Sequence, residues 1–284
     1  MAKIPKKVID RLTNTIKPFQ TVAMSHKMKD VSEADTVTLI KDVLAGCFGF
    51  NKYEELTSEQ QIRGTFCDLA VKIDGKIKYL IEVKAAGVSL NDSHLRQALG
   101  YGANNGIEWV VLTNSIDWRL YRIKFAQPID HEEVTSFNFV EMNPRNEEDL
   151  QKMFLLCREG IGSDAMGAYH QHAQIINKFT IAQILLTDSI VSSVRREIKR
   201  LFSDVKIDDQ SIIDILKNEI LKREVIEGDK VKETQQKIKR IMTKIQKDSE
   251  KRSDLKSDSA NRLSSGETSV VEEITESNKK PIMP

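Results

Sequence analysis

The chain is short of the features that place a protein quickly. Its 284 residues hold only three cysteines, Cys47, Cys67 and Cys157, with no CxxC pair among them. Such spacing excludes a zinc-finger or disulfide framework and reads as small buried hydrophobes in a reducing compartment. No run of about 18 apolar residues occurs, and the basic residues 1–7 precede no apolar stretch long enough for a signal peptide. The expectation is therefore a cytoplasmic protein with no membrane partner. Neither sign of charge is in excess: 43 Lys and Arg face 42 Asp and Glu. Net charge then decides nothing about nucleic acid, which depends on where cations cluster.

What is present is enough apolar composition, 40%, for a sizeable core. No internal repeat is visible. Helix and strand patterns mix as far as about residue 140, whereas residues 147–246 carry helical periodicity only. The polar run Asn143-Pro144-Arg145-Asn146 marks the seam. From Lys247 the sequence turns to Ser, Asp, Glu, Lys, Asn and Thr, too polar to offset chain entropy. The expected organisation is an α/β module over 1–143, a helical module over 144–246 and a disordered tail over 247–284.

The first clear helix is expected from Ser32, with Asp35 in a capping-box position, to Gly46. Val37, Ile40, Val43 and Leu44 form its stripe. Glu33, four residues before Val37, falls on that stripe, where a carboxylate needs a metal or lysine nearby. The alternative is that Glu33 merely complements the helix dipole.

Two β-rich runs, Phe66 to Ile73 and Lys76 to Lys84, flank Asp74-Gly75, a strong hairpin signal. Register is decisive here. A strict two-residue loop sets Asp68 opposite Ile81 and sends Glu82 to the other face. One extra residue, in the loop or as a bulge, sets Asp68 opposite Glu82 with Lys84 further along the same face, and that offset is the expectation. A helix follows over 91–105, with Gln97 and Tyr101 one turn apart. Residues 108–113 and 118–123 read as strands around an Asn114-Ser115-Ile116-Asp117 turn, and residues 137–140 as one more, in a sheet of about five strands.

Two carboxylates and an ammonium group meeting on one sheet face suit a divalent cation held by oxygen ligands and phosphate. A carboxylate followed by Glu-x-Lys also occurs as an ordinary cross-strand ion pair. The order of the Glu33 helix, Asp68, Glu82-Val83-Lys84 and the Gln97-to-Tyr101 helix resembles the PD-(D/E)xK nuclease superfamily. More narrowly, residues 32–123 resemble the N-terminal nuclease domain of type I restriction enzyme R subunits and predicted type IV restriction endonucleases. The resemblance covers less than half of the chain, no helicase motor follows it here, and Cys67 stands where the family often has proline.

The resemblance implies a restriction-endonuclease-like mixed sheet flanked by helices and a Mg²⁺-dependent deoxyribonuclease acting in restriction or defence. It implies Asp68 and Glu82 as Mg²⁺ ligands, Glu33 as an assisting carboxylate, Lys84 as the group that activates water or stabilises phosphate, and Gln97 and Tyr101 as substrate supports. In the helical half, Arg195 and Lys199 lie on a basic helix face able to meet DNA phosphates or simply to stay solvated. Residues 230–246 form a lysine-rich helix whose apolar positions could pair with another helix. Partners in view are DNA, a separate motor, specificity or methyltransferase subunit, and a second copy through the C-terminal helices. The competing readings are a catalytically silent module of the same fold, binding DNA or protein in a restriction complex, and a helical adaptor. His170 and His172, two apart on a helix, read as solvated linker residues.

Overall fold

The computed structural model describes residues 3–58, 67–203 and 206–264, without side chains for 246 and 248–264. The chain divides into two compact units, Met1–Gln174 and Ile175–Pro284.

The first unit is a mixed α/β structure around a six-stranded sheet in the order β1 to β6: Leu56–Ser58, Leu69–Ile73, Lys76–Val83, Trp109–Thr113, Asp117–Lys124 and Asp130–Asn138. All neighbouring strands are antiparallel except β3 and β4, which run parallel and are joined by helix α3, Arg96–Asn105. A parallel step needs such a crossover, whereas antiparallel steps close with short turns. Asp74 and Gly75 both take positive φ, 51° and 73°, the backbone that a two-residue hairpin turn demands.

Each sheet face carries its own apolar layer. One face packs Tyr79, Ile81, Val83, Val111 and Trp118 against α1, Lys6–Lys29, and α2, Glu33–Gly46. The other packs Ala70, Leu80, Val110 and Leu112 under Leu95, Ala98 and Tyr101. The second half of strand β3 is therefore covered on both faces, which is why Tyr79, Leu80 and Ile81 form an unbroken apolar run up to Glu82. The buried free cysteines Cys47, Cys67 and Cys157 behave as the sequence suggests.

Several expectations shift. Helix α1 escapes the pattern because its buried line, Val8, Leu12, Ile16, Gln20 and Ala23, includes a glutamine, and Pro18 lies inside it. Gln20 is held there because its Nε2 donates to the carbonyls of Phe139 and Met142, each at 2.8 Å. The sheet has six described strands rather than about five, since β1 is too short to show alternation.

The seam expected at Asn143 to Asn146 is a helix start. Asn146 caps α4, Glu147–Leu155, whose Leu150, Met153, Phe154 and Leu155 enter the first unit's core. The chain instead divides within α6, Ala165–Ile175, which follows α5, Arg158–Gly162. Of the expected tail over 247–284, the backbone to Ser264 continues a helix, and residues 265–284 lie outside the described residues.

The second unit is helical: α7, Lys178–Leu185; α8, Asp188–Leu201; α9, Asp209–Ile215; and α10, Asp229–Ser264. No helix among the described residues is long and apolar enough to cross a membrane.

Candidate active site

A single extra residue builds the site. Ile73 pairs with Lys76 and Lys72 with Ile77, but Val71 then pairs with Tyr79, so Lys78 is bulged out of β3. Beyond the bulge Leu69 faces Ile81, and one step further Asp68 comes level with Glu82. The expected offset is present, made by a bulge and not by a longer loop. Asp68 stands just before β2, and its Oδ2 accepts the Val83 N–H at 2.7 Å. Cys67 locks the same corner by donating its thiol to the carbonyls of Leu69 and Ile81, both at 3.3 Å.

Glu82 is 3% exposed, a carboxylate at the end of an apolar strand. Lys84 Nζ donates to Glu82 Oε1 at 2.7 Å and to the Val83 carbonyl at 2.8 Å, with Glu33 Oε2 at 3.6 Å. The Lys84 N–H continues the parallel ladder by donating to the Thr113 carbonyl at 2.9 Å, which fixes where the side chain leaves the sheet. Burial pushes the Glu82 carboxyl up to about 7; Lys84 opposes that rise, while the charges of Asp68 and Glu33 add to it. Burial alone would lower the Lys84 ammonium, but its bond to Glu82 together with the charges of Glu82, Glu33 and Asp68 outweighs this and leaves it raised.

The remaining sequence-derived residues fall in different places. Glu33 is exposed at the first position of α2, one residue after the Ser32 cap. The buried stripe, Thr36, Leu39, Ile40, Val43 and Leu44, begins a turn later, so Glu33 stands on its side of the helix but ahead of the core. Glu33 still reaches the site from the rim through Lys84.

Gln97 is exposed on the first turn of α3. Tyr101, one turn on, is fully buried in the layer with Cys67 and Leu80, and burial raises its phenol above the ordinary value. As placed, Tyr101 packs α3 onto the sheet. The helix before it begins with a 3₁₀ turn, Asp92–Leu95, capped by Asn91 together with His94.

Arg195 and Lys199 belong to α8 in the second unit, where Arg195 Nε pairs with Asp209 Oδ1 at 3.1 Å. The first unit assembles its carboxylates and lysine without them.

Sequence reasoning missed two features. Asn114 donates from Nδ2 to the Val88 carbonyl at 2.8 Å, and its Oδ1 accepts the N–H groups of Ile116 and Asp117. It thereby ties the loop after Lys84 to the β4–β5 turn, a role hidden behind an ordinary turn signal. His170 is no solvated linker: it bonds Glu132 through Nε2, and its Nδ1 lies 3.1 Å from Arg122 Nη1. A guanidinium only donates, so Nδ1 accepts and Nε2 carries the hydrogen toward Glu132. Nothing in the local sequence links residues so far apart.

A Mg²⁺ ion fits this donor set. It is held by one or two carboxylates, with water and phosphate oxygens completing its shell. Among the described residues no group of three or more His, Cys, Asp or Glu surrounds a common metal position, and this ion requires none. Glu82, buried beside a second carboxylate, is the kind of group that a divalent cation relieves. Comparison with protein-family models, curated proteins and solved structures yields no match.

Proposed function

We propose that this chain is a Mg²⁺-dependent endonuclease that hydrolyses DNA phosphodiester bonds in restriction or defence. The observation that carries the reading is the Lys78 bulge, which sets Asp68 and Glu82 level on one face with Lys84 a step beyond. A strict hairpin register would send Glu82 to the other face and leave a single carboxylate at the site.

Asp68 and Glu82 would hold Mg²⁺, which when bound acidifies its water and neutralises charge on phosphate oxygens. Asp68 is oriented for this by the Val83 N–H, and Glu82 by the buried strand that carries it. Lys84, a compact ammonium with three donors, holds the attacking water or a phosphate oxygen. Glu33 keeps that ammonium at the rim, and the exposed Gln97 is available to the substrate backbone.

A second reading, a catalytically silent module of the same fold, draws support from the closed state of Lys84, whose Nζ is already engaged by Glu82 and the Val83 carbonyl. A plasmid-nicking assay separates the two. With Mg²⁺ the native chain should cut, EDTA should stop it, and Asp68→Ala and Lys84→Ala should each lose at least about a hundred-fold, roughly 3 kcal/mol of transition-state stabilisation. Equal cutting by all three proteins would mean a contaminant. A native chain that binds DNA but never cuts would leave the silent module.

A further inference from the structure

Among the described side chains, those that anchor helix α10 to its own unit lie near its start. Val231 is buried, and Gln235 Nε2 donates to Gln183 Oε1 of α7 at 2.9 Å. After the half-buried Ile238, every described side chain, from 239 to 245 and at 247, is exposed. An exposed stretch of helix offers its side chains to a partner.

The exposed stretch is strongly basic on one side. Lys237, Arg240, Lys244 and Lys247 follow one another at i, i+3, i+7 and i+10, which places them on a single stripe of a 3.6-residue helix. Ile238, Met242 and Ile245 turn the other way. Among the described side chains none of the four cations has an acidic group within ion-pair distance. Helix α8 differs, for Arg195 is taken by Asp209 and Arg200 by Glu197. The α10 stripe is about 15 Å long, at 1.5 Å per residue.

We infer that this stripe of α10 docks on the phosphate backbone of double-stranded DNA. That the polyanion is DNA rests on the nuclease reading; that it is a polyanion rests on the run of exposed cations from Lys237 to Lys247, which contains no acidic residue. Duplex DNA offers one negative charge per about 1.7 Å of axis, enough for every cation on the stripe to meet a phosphate. A second copy of the chain is a poorer occupant. On the repeat of Val231, Ile238 and Ile245, the flanking lysines Lys230, Lys237 and Lys244 would face one another or the uncharged Gln235 and Met242, with no acid to pair. An anionic membrane is also poorer, because the apolar side offers isoleucine and methionine but no aromatic anchor.

The test uses the full chain in EDTA, with a fluorescent mixed-sequence duplex of about 30 base pairs titrated over a range of salt. The quadruple variant Lys237→Gln, Arg240→Gln, Lys244→Gln, Lys247→Gln should bind at least about ten-fold more weakly at low salt. Its slope of log affinity against log salt should flatten by about 3 to 4, close to one per lost phosphate contact. Replacing the three lysines by arginine should leave slope and affinity near native, with circular dichroism confirming that both variants keep their helix. An unchanged slope in the glutamine variant, equal loss in the arginine variant, or native binding to phosphatidylserine vesicles but not to duplex would each overturn the inference. Native binding with an unchanged slope sinks only the α10 assignment, whereas no duplex binding by the native chain sinks the nuclease reading with it.

Discussion

Two glutamates of the same sheet have each been drawn to cations, and they end in opposite electrostatic states. Glu82 on β3 has Lys84 as its single close cation, two further carboxylates nearby and almost no solvent, and its carboxyl is pushed up to about 7 by burial. Glu132 on β6 meets both Lys124, at 2.8 Å, and His170. Burial alone would raise it too, but those two partners outweigh burial and hold it below the ordinary carboxylate range. Burial, deeper at Glu82, is the first difference; the second is the partners, one cation against two further carboxylates at Glu82, and a cation plus the His170 N–H at Glu132. Glu132 is satisfied as it stands and reads as a structural tie between β6 and α6. Glu82 is under-compensated, and in the proposed function it is the group that the bound cation would relieve.

The largest effect should come from removing the uncompensated charge. Because the folded carboxyl of Glu82 titrates near 7 while the unfolded one titrates near 4.5, the folded state holds more protons between those values. Stability contributed there is present at low pH and is lost as pH rises from about 4.5 through about 7. Glu82→Gln should therefore be more stable than the native chain at pH 8, by as much as 2–3 kcal/mol on the order of one 1.36 kcal/mol step per pKa unit. At pH 5 the two should melt together. Thermal melts across that range decide it, and a native chain whose stability is flat from pH 5 to pH 8 would place Glu82 in the same class as Glu132.

Glu132→Gln should run the other way. Removing a carboxylate already held by two partners costs their bonds and leaves Lys124 and His170 facing an amide, a loss of about 1 kcal/mol for a partly exposed cluster. Since the Glu132 carboxyl is lowered, its contribution is present above the ordinary carboxylate range and disappears as pH falls through the folded value. The native chain and the variant should then converge in acid and differ at neutral pH. Convergence at neutral pH instead would show that the tie between β6 and α6 contributes nothing.

The sequence makes one of these two clusters far more readable than the other. Asp68, Glu82 and Lys84 lie within 17 positions, straddling a turn whose Asp-Gly signal is strong, so the pleat arithmetic could be written down in advance. What the pattern leaves open is how the extra residue is added, since a bulge at Lys78 and a longer loop give the same offset. Glu132, Arg122 and His170 come from two strands and a helix up to 48 positions apart, and only tertiary packing joins them. Helix α1 is obscured for a local reason: a proline and a core glutamine interrupt its periodicity, and the carbonyls that satisfy Gln20 lie 119 and 122 residues away. Glu33 lies on the helix side that its spacing from Val37 gives, in line with Ile40 and Leu44, but in the first turn, before burial begins at Thr36, and spacing does not show where along a helix the core starts. Tyr101 shares a helix side with Gln97, yet one turn separates an exposed position from the core.

The smallest effect sharpens the comparison most, because it tests redundancy. Lys124 is about half exposed and pairs with both Asp130, at 3.6 Å, and Glu132. If Glu132 is compensated twice over, Lys124→Met should leave His170 in place and change stability by no more than roughly 0.5 kcal/mol, the usual worth of an exposed pair. A thermal melt at neutral pH in low and moderate salt should show curves displaced by about a degree or two, with the gap narrowing as salt screens the exposed lysine. A drop of many degrees would mean that His170 alone cannot hold the carboxylate, that Glu132 leans on one cation just as Glu82 does, and that the count of partners is not what separates the two.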